Sequence, residues 1–182
     1  MSKEFKEFVK ETLSIVIIAF ILALILRAFV IEGRLIPSSS MLPTLQVQDR
    51  VMVNKFIYSF KEPQRGDIVV FHPPETLNME DDLIKRVVGL PGEKVEMKNQ
   101  QVYINDQPLT EPYLAEPLNY TFGPVTVPQG SLLVLGDNRN DSNDSHMWGF
   151  LDRDKVVGKA FLTYWPLKDC KMLERGVSFA SQ

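Results

Sequence analysis

The chain has 182 residues, with 20 Lys+Arg against 23 Asp+Glu and 45% hydrophobic residues, which suits one core-bearing domain with a small appendage and excludes a disordered or fibrous protein. The net charge of -3 leaves no surplus of cations to neutralise a phosphate backbone, so nucleic-acid binding has no electrostatic footprint here. A single cysteine, Cys170, excludes an internal disulfide, a Cys-x-x-Cys redox pair and a multi-cysteine zinc site.

The first element is apolar. Leu13 to Leu26 reads LSIVIIAFILALIL, with Ser14 the one polar residue, and the run resumes after Arg27 as far as Ile31. As a helix this span reaches about 28 Å, close to the roughly 30 Å of bilayer hydrocarbon, with Arg27 near enough to one end to snorkel. Its apolar residues run all round instead of forming one stripe, which argues against a buried core helix. Glu32-Gly33-Arg34-Leu35 offers no small-x-small site, which argues against a cleaved secretory signal. The expectation is therefore a single transmembrane anchor over residues 12–31, a short cytoplasmic N-terminus over 1–11 and a β domain over 32–182. Lys3, Lys6 and Lys10 precede the span, whereas Arg34 and Arg50 are the only basic residues for some way after it. Counting Lys and Arg keeps the N-terminus inside and puts the body on the trans face.

Beyond Ile31 the pattern changes to short apolar runs bounded by Pro, Gly, Asn and Asp, which read as strands. The clearest are Arg50 to Asn54, Asp67 to Phe71, Leu83 to Val88, Lys94 to Met97, Gln101 to Ile104, Ser131 to Leu135 and Val156 to Tyr164. Turn chemistry lies between them, and the two runs flanking Asn99-Gln100 form an expected hairpin. Pro108 to Pro128 is Pro-rich and poor in pattern, and reads as a long surface excursion. No internal repeat or second domain boundary is visible.

Three stretches and a pair of histidines could carry chemistry. Ile36-Pro37-Ser38-Ser39-Ser40-Met41-Leu42-Pro43-Thr44-Leu45 has the composition of an ordinary loop. It lies so soon after the apolar span, however, that a site there would meet a membrane-borne substrate. In Asp81-Asp82-Leu83-Ile84-Lys85-Arg86-Val87-Val88-Gly89 strand alternation places one cation in each apolar row, Lys85 with Leu83 and Val87, Arg86 with Ile84 and Val88. A solvated sheet rim explains both equally well. Of the two only lysine can act as a base, because guanidinium does not deprotonate whereas a desolvated ammonium does. The polar run from Gly136 to Gly149 fails as an EF-hand. Starting at Asp141 puts His146 at the glycine turn and Asp152 at the bidentate Glu; starting at Asp137 gives Arg139 a ligand position. A polar surface loop remains open there. His72 and His146 sit in no His-Glu-x-x-His motif, and no Gly-x-Ser-x-Gly or Ser-x-x-Lys signature is present, so each reads as a loop residue.

In order and spelling, these stretches together resemble the bacterial type I signal peptidases, or leader peptidases, across nearly the whole chain. The resemblance is carried by the N-terminal apolar span, Pro37-Ser38-Ser39-Ser40-Met41-Leu42-Pro43-Thr44-Leu45, Asp49-Arg50-Val51-Met52-Val53-Asn54-Lys55, Arg65-Gly66-Asp67-Ile68-Val69-Val70-Phe71, Ile84-Lys85-Arg86-Val87-Val88-Gly89-Leu90-Pro91-Gly92 and Gly136 to Ser145. It implies a mostly antiparallel β catalytic domain behind one transmembrane helix. It also implies a Ser/Lys dyad, with Ser40 as nucleophile and Lys85 as general base, and no metal or cofactor. On the same ground Ser38 and the Ser40 N–H form the oxyanion hole, Ser142 orients the lysine amine, and Asp137, Arg139 and Asp144 support the site. Ile36, Met41, Leu45 and Ile84 resemble the walls of the pockets that accept Ala at the first and third positions before the cut. The implied partners are preprotein signal peptides and a bilayer, of cell or thylakoid type, with a translocase contact through residues 108–128 left open and no nucleic acid.

Three positions depart from the family's common pattern. His146 stands where an arginine often pairs with the aspartate, Arg34 where an apolar residue is frequent near the third-position pocket, and Ser39 where glycine is common. The readings kept beside this one are an anchored β module that only binds partners, a self-cleaving repressor-type peptidase and a catalytically dead paralogue.

Overall fold

The computed structural model describes residues 3–179, with only the backbone described at residues 3–4 and 25–29. Helix α1 (Lys3–Phe29) carries the apolar span. Ile15, Ile17, Ile18 and Phe20 point in different directions around it and are all exposed, so no other element covers any face of this stretch. Among the described residues no helix is long and apolar enough to cross a membrane. The described side chains run from Phe5 to Leu24; Lys6, Glu7, Lys10 and Glu11 occupy their first turns, and the stretch from Leu13 to Leu24 is about 18 Å long. The side chains that would complete the expected span, Arg27 among them, lie outside the described residues. The helix stops at Phe29, and Ile31, expected to close the span, already pairs with Asn54 as the first residue of a strand.

The body is antiparallel β, as expected. Its strands are β1 (Ile31–Leu35), β2 (Arg50–Asn54), β3 (Ile68–Phe71), β4 (Leu83–Gly89), β5 (Lys94–Lys98), β6 (Gln101–Ile104), β7 (Gln107–Thr110), β8 (Phe122–Thr126), β9 (Ser131–Leu135), β10 (Leu151–Asp152), β11 (Val156–Trp165), β12 (Lys171–Met172) and β13 (Ser178–Phe179), with a one-turn helix α2 (Ser145–Trp148) before β10. The larger sheet runs β1-β2-β11-β3-β4-β9-β10 with β12 added to β11, and the smaller runs β13-β7-β6-β5-β8. Asn99 and Gln100 both take positive φ in the β5–β6 turn, as a tight hairpin requires.

Burial follows position in the sheets. The central strands β3 and β9 are buried at every residue, so they read as continuous apolar runs, whereas β5 alternates because only one of its faces meets the core. β9 serves two cores at once. Leu133 and Leu135 pack with Val95, Met97, Val102 and Ile104 of the smaller sheet, while Leu132 and Val134 pack with Val69, Phe71 and Val87. Each such side chain contributes about 1.5–3 kcal/mol on burial, so β9 pins the two sheets together.

One expectation is corrected here. Residues 108–128 are not a patternless excursion, since they supply most of β7 and all of β8, the strands that flank the β5–β6 hairpin. β7 carries Pro108 and pairs with β6 just before it, while β8 carries Pro124 and pairs with the distant β5. Period-two alternation over so few residues gave no signal.

Candidate active site

β4 leaves the loop of acidic residues before it and passes through the middle of the larger sheet, where Lys85 pairs with Val69 of β3. β3 and β9 flank the strand, and the Lys85 side chain ends 4% exposed. After β1, Pro37 ends the strand and the next residues close a turn whose Leu42 N–H donates to the Ser39 carbonyl at 3.0 Å. That turn carries Ser40, 7% exposed, to the lysine, so that Lys85 Nζ lies 2.6 Å from Ser40 Oγ. Ser38 Oγ is 3.3 Å from Ser40 Oγ on the same side. Burial pushes the Lys85 amine down to about 8, against the pull of Asp144 and Asp137, which favour its charged form.

The segment following β9 closes the site from behind. Gly136 is pressed so tightly that a Cβ there would lie 2.4 Å from the Ser40 carbonyl oxygen and 2.2 Å from Ser142 Oγ, so no larger residue fits. Asp137 receives both Nε (2.8 Å) and Nη2 (2.7 Å) of Arg86, with neither side chain more than 1% exposed, and Thr44 Oγ1 donates to the same carboxylate. Arg86 also donates to the Gly66 and Arg175 carbonyls and stacks 3.9 Å over Tyr113. The two neighbouring cations of β4 therefore differ in kind: Arg86 is spent on structure and Lys85 faces the serine. Arg139 donates to the Gly136 carbonyl and forms a buried ion pair with Glu111, holding the residues after β7 against this loop. Asp144 accepts from the Gly136 N–H at 2.9 Å and caps α2 through the His146 N–H.

The sequence-expected residues do not all meet. Ser142 Oγ is buried beside Gly136 and has no hydrogen-bond partner among the described residues, so the expected bond to Lys85 is not made in this arrangement. Beside the turn lies a cavity of about 310 Å³ between the free edge of β1 and the start of β4, lined by Arg34 to Pro37, Val70 and Asp81 to Ile84. Ile36 and Ile84 are among its lining residues. Met41 and Leu45, both 0% exposed, instead pack in the core with Val51, Val53 and Ile68 and are not among its lining residues. Arg34 pairs with Asp82 at 2.9 Å at the cavity's edge.

His72 Nδ1 contacts Asp82 and His146 Nδ1 contacts Asp144, and His146 stacks on Tyr120. Neither histidine bonds to Ser40, and among the described residues no cluster could hold a metal ion. Sequence reasoning passed over Asn138, whose backbone N–H donates to the Ser40 carbonyl and whose amide donates to the Ser39 carbonyl. Its place inside the polar run was the only signal available.

The chain matches the family model described as "Signal peptidase, peptidase S26" over residues 9–165. It is 51% identical over 165 residues to a probable signal peptidase I-1 of Synechocystis sp., covering 88% of this chain and 84% of that one. It is also 51% identical over 155 residues to a signal peptidase I of Leptolyngbya laminosa, covering 82% and 76%. A probable thylakoidal processing peptidase 2 of Arabidopsis thaliana is 41% identical over 153 residues, covering 81% of this chain and 42% of the plant protein.

Proposed function

The chain belongs to the peptidase S26 signal peptidases, a serine endopeptidase of the signal peptidase I type, and on that premise we propose that it removes signal peptides from exported preproteins with Ser40 as nucleophile and Lys85 as general base. The observation that carries the residue assignment is the buried 2.6 Å contact between Lys85 Nζ and Ser40 Oγ. A neutral Lys85 takes the Ser40 hydroxyl proton as the oxygen attacks the scissile carbonyl. The oxyanion that forms is stabilised by the Ser40 N–H and the Ser38 hydroxyl; losing one such donor typically costs about 2.7 to 4 kcal/mol. The Lys85 ammonium then protonates the leaving amine, which departs as the N-terminus of the mature protein and leaves the signal peptide as an ester on Ser40. The Lys85 amine, neutral again, takes a proton from water as its oxygen attacks the ester carbonyl, and returns that proton to Ser40 Oγ as the signal peptide leaves as a carboxylic acid.

The cavity along β1 favours a substrate that lies extended against that strand's free edge, with small side chains such as Ala dropping toward Ile36 and Ile84. Ser142 supports Lys85 by a rotation that brings its unpartnered hydroxyl to the amine. Helix α1 anchors the enzyme in a cell or thylakoid-type membrane. Its apolar residues, exposed on every face in the described stretch, support that reading.

The test incubates detergent-solubilised full-length protein with a preprotein bearing an Ala-x-Ala site, beside Ser40→Ala and Lys85→Ala. Cleavage after the final Ala, lost in both folded variants, is the expected result. Cleavage that survives either substitution removes the dyad. A wild-type protein that is folded yet leaves the substrate intact points to an inactive relative.

A further inference from the structure

We propose that Asn138 is a positioning residue that aims the oxyanion hole, acting on the two peptide planes that flank Ser40. The plane between Ser39 and Ser40 is trans, so its C=O and N–H point in opposite directions. The Ser39 carbonyl accepts from Asn138 Nδ2 at 3.2 Å and from the Leu42 N–H at 3.0 Å, which fixes where the Ser40 N–H points. That N–H donates no hydrogen bond among the described residues, as a group kept for a developing oxyanion must. The next plane is held by the same residue, because the Ser40 carbonyl accepts from the Asn138 backbone N–H at 3.0 Å. A third tie runs alongside, Ser39 Oγ donating to Asp141 Oδ2 at 3.0 Å. Three contacts from the loop after β9, two to backbone carbonyls and one to the Ser39 hydroxyl, thus clamp the Ser39–Ser40 segment. Oxyanion stabilisation depends on donors held in place before the charge appears, so a clamp that stops this turn from pivoting acts on the transition state and not on ground-state binding.

The inference rests on reading Ser40 as the nucleophile, and the experiment separates the two. Full-length wild type, Ser40→Ala, Asn138→Ala, Asn138→Asp and Asp141→Ala are assayed for kcat and KM on an Ala-x-Ala preprotein. Binding is measured for a peptide aldehyde whose hemiacetal oxygen would occupy the oxyanion position. Asn138→Ala keeps the backbone tie and loses the amide; kcat is expected to fall about ten- to a hundredfold, less than the full loss of a donor, with KM within about twofold. Aldehyde affinity falls by a similar factor, and the pH midpoint of kcat stays where it is in wild type. Asn138→Asp, which sets an acceptor against the Ser39 carbonyl, falls further. Asp141→Ala, at an exposed position, shows the same signature at several-fold and serves if the Asn138 variants do not fold. Combined with Ser38→Ala, the Asn138→Ala loss is smaller than the product of the two single losses, because both act on one oxyanion. A moved pH midpoint, a change confined to KM, unchanged aldehyde affinity or multiplying losses would each overturn the inference. If Ser40→Ala retains full activity, the nucleophile reading itself fails and takes this one with it.

Discussion

Lys85 is held in a place that suits a base and not a cation. Burial brings its amine down to about 8 from the usual 10.5, although Asp144 and Asp137 pull the other way. Activity should therefore rise with pH as the amine loses its proton, with a midpoint near 8 in kcat/KM, and a flat profile through that region would remove Lys85 as the base. The same geometry costs stability. A lysine whose folded pKa lies below its unfolded one carries fewer protons when folded, so stability rises with pH between about 8 and 10.5 and the penalty is complete below 8. The difference corresponds to about 3 kcal/mol. Lys85→Met, which fills the same space without charge, should thus be inactive yet more stable than wild type near neutral pH, with the gap closing as pH passes the ordinary lysine range. Urea unfolding at two pH values measures this, and a destabilised Lys85→Met at neutral pH would contradict it. From the sequence, Lys85 and Arg86 were equivalent, one cation in each row of an alternating strand. Deprotonation chemistry picked the lysine, but nothing local revealed that Arg86 is almost fully buried, because its partners Asp137, Gly66 and Arg175 come from three distant segments.

The Arg86–Asp137 pair ties β4 to the segment after β9, the two elements that hold the lysine and the back of the serine turn. Removing the carboxylate leaves a guanidinium without its charge partner where water cannot reach it. Asp137→Ala should cost about 3–5 kcal/mol. Glu62→Ala breaks a pair with Arg153 in which the glutamate is 77% exposed, and should cost less than about 1 kcal/mol. Urea titrations of the two variants give the comparison; equal losses would mean that the buried pair has no special role. The seven strands legible in the sequence include β3, β4 and β9 at the centre of the larger sheet and the β5–β6 hairpin, where alternation or a continuous apolar run persists over four residues or more. Those that escaped are edges, apart from β7, which lies between β13 and β6. β1 was absorbed into the apolar span because Ile31 continues it; β10, β12 and β13 have two residues each, and β7 and β8 contain proline. Edge pairing is decided by what lies alongside, which a local pattern does not carry. The site was legible in part for the same reason. Ser38, Ser40 and Lys85 came through a resemblance to known motifs, while Asn138 depends on a contact between loops a hundred residues apart.

At the scale of the molecule, the reading of α1 as an anchor sets where the chemistry happens, because Ser40 follows the end of the helix by only a few residues and β1. On that reading, the three lysines before the apolar run and the scarcity of Lys and Arg just after it predict a body on the trans side. One residue makes this directly measurable. Cys170 is the only cysteine of the chain, is exposed, and lies just ahead of β12 in the body. In sealed right-side-out vesicles a membrane-impermeant maleimide should modify Cys170 without permeabilisation. In a Cys170→Ser background, a Lys3→Cys label should appear only after the membrane is opened. Alkaline carbonate should leave the protein in the membrane pellet. The reverse labelling pattern would put the body on the cytoplasmic side, where a peptidase could not meet signal peptides after translocation. Release by carbonate would mean that α1 lies on the bilayer without crossing it.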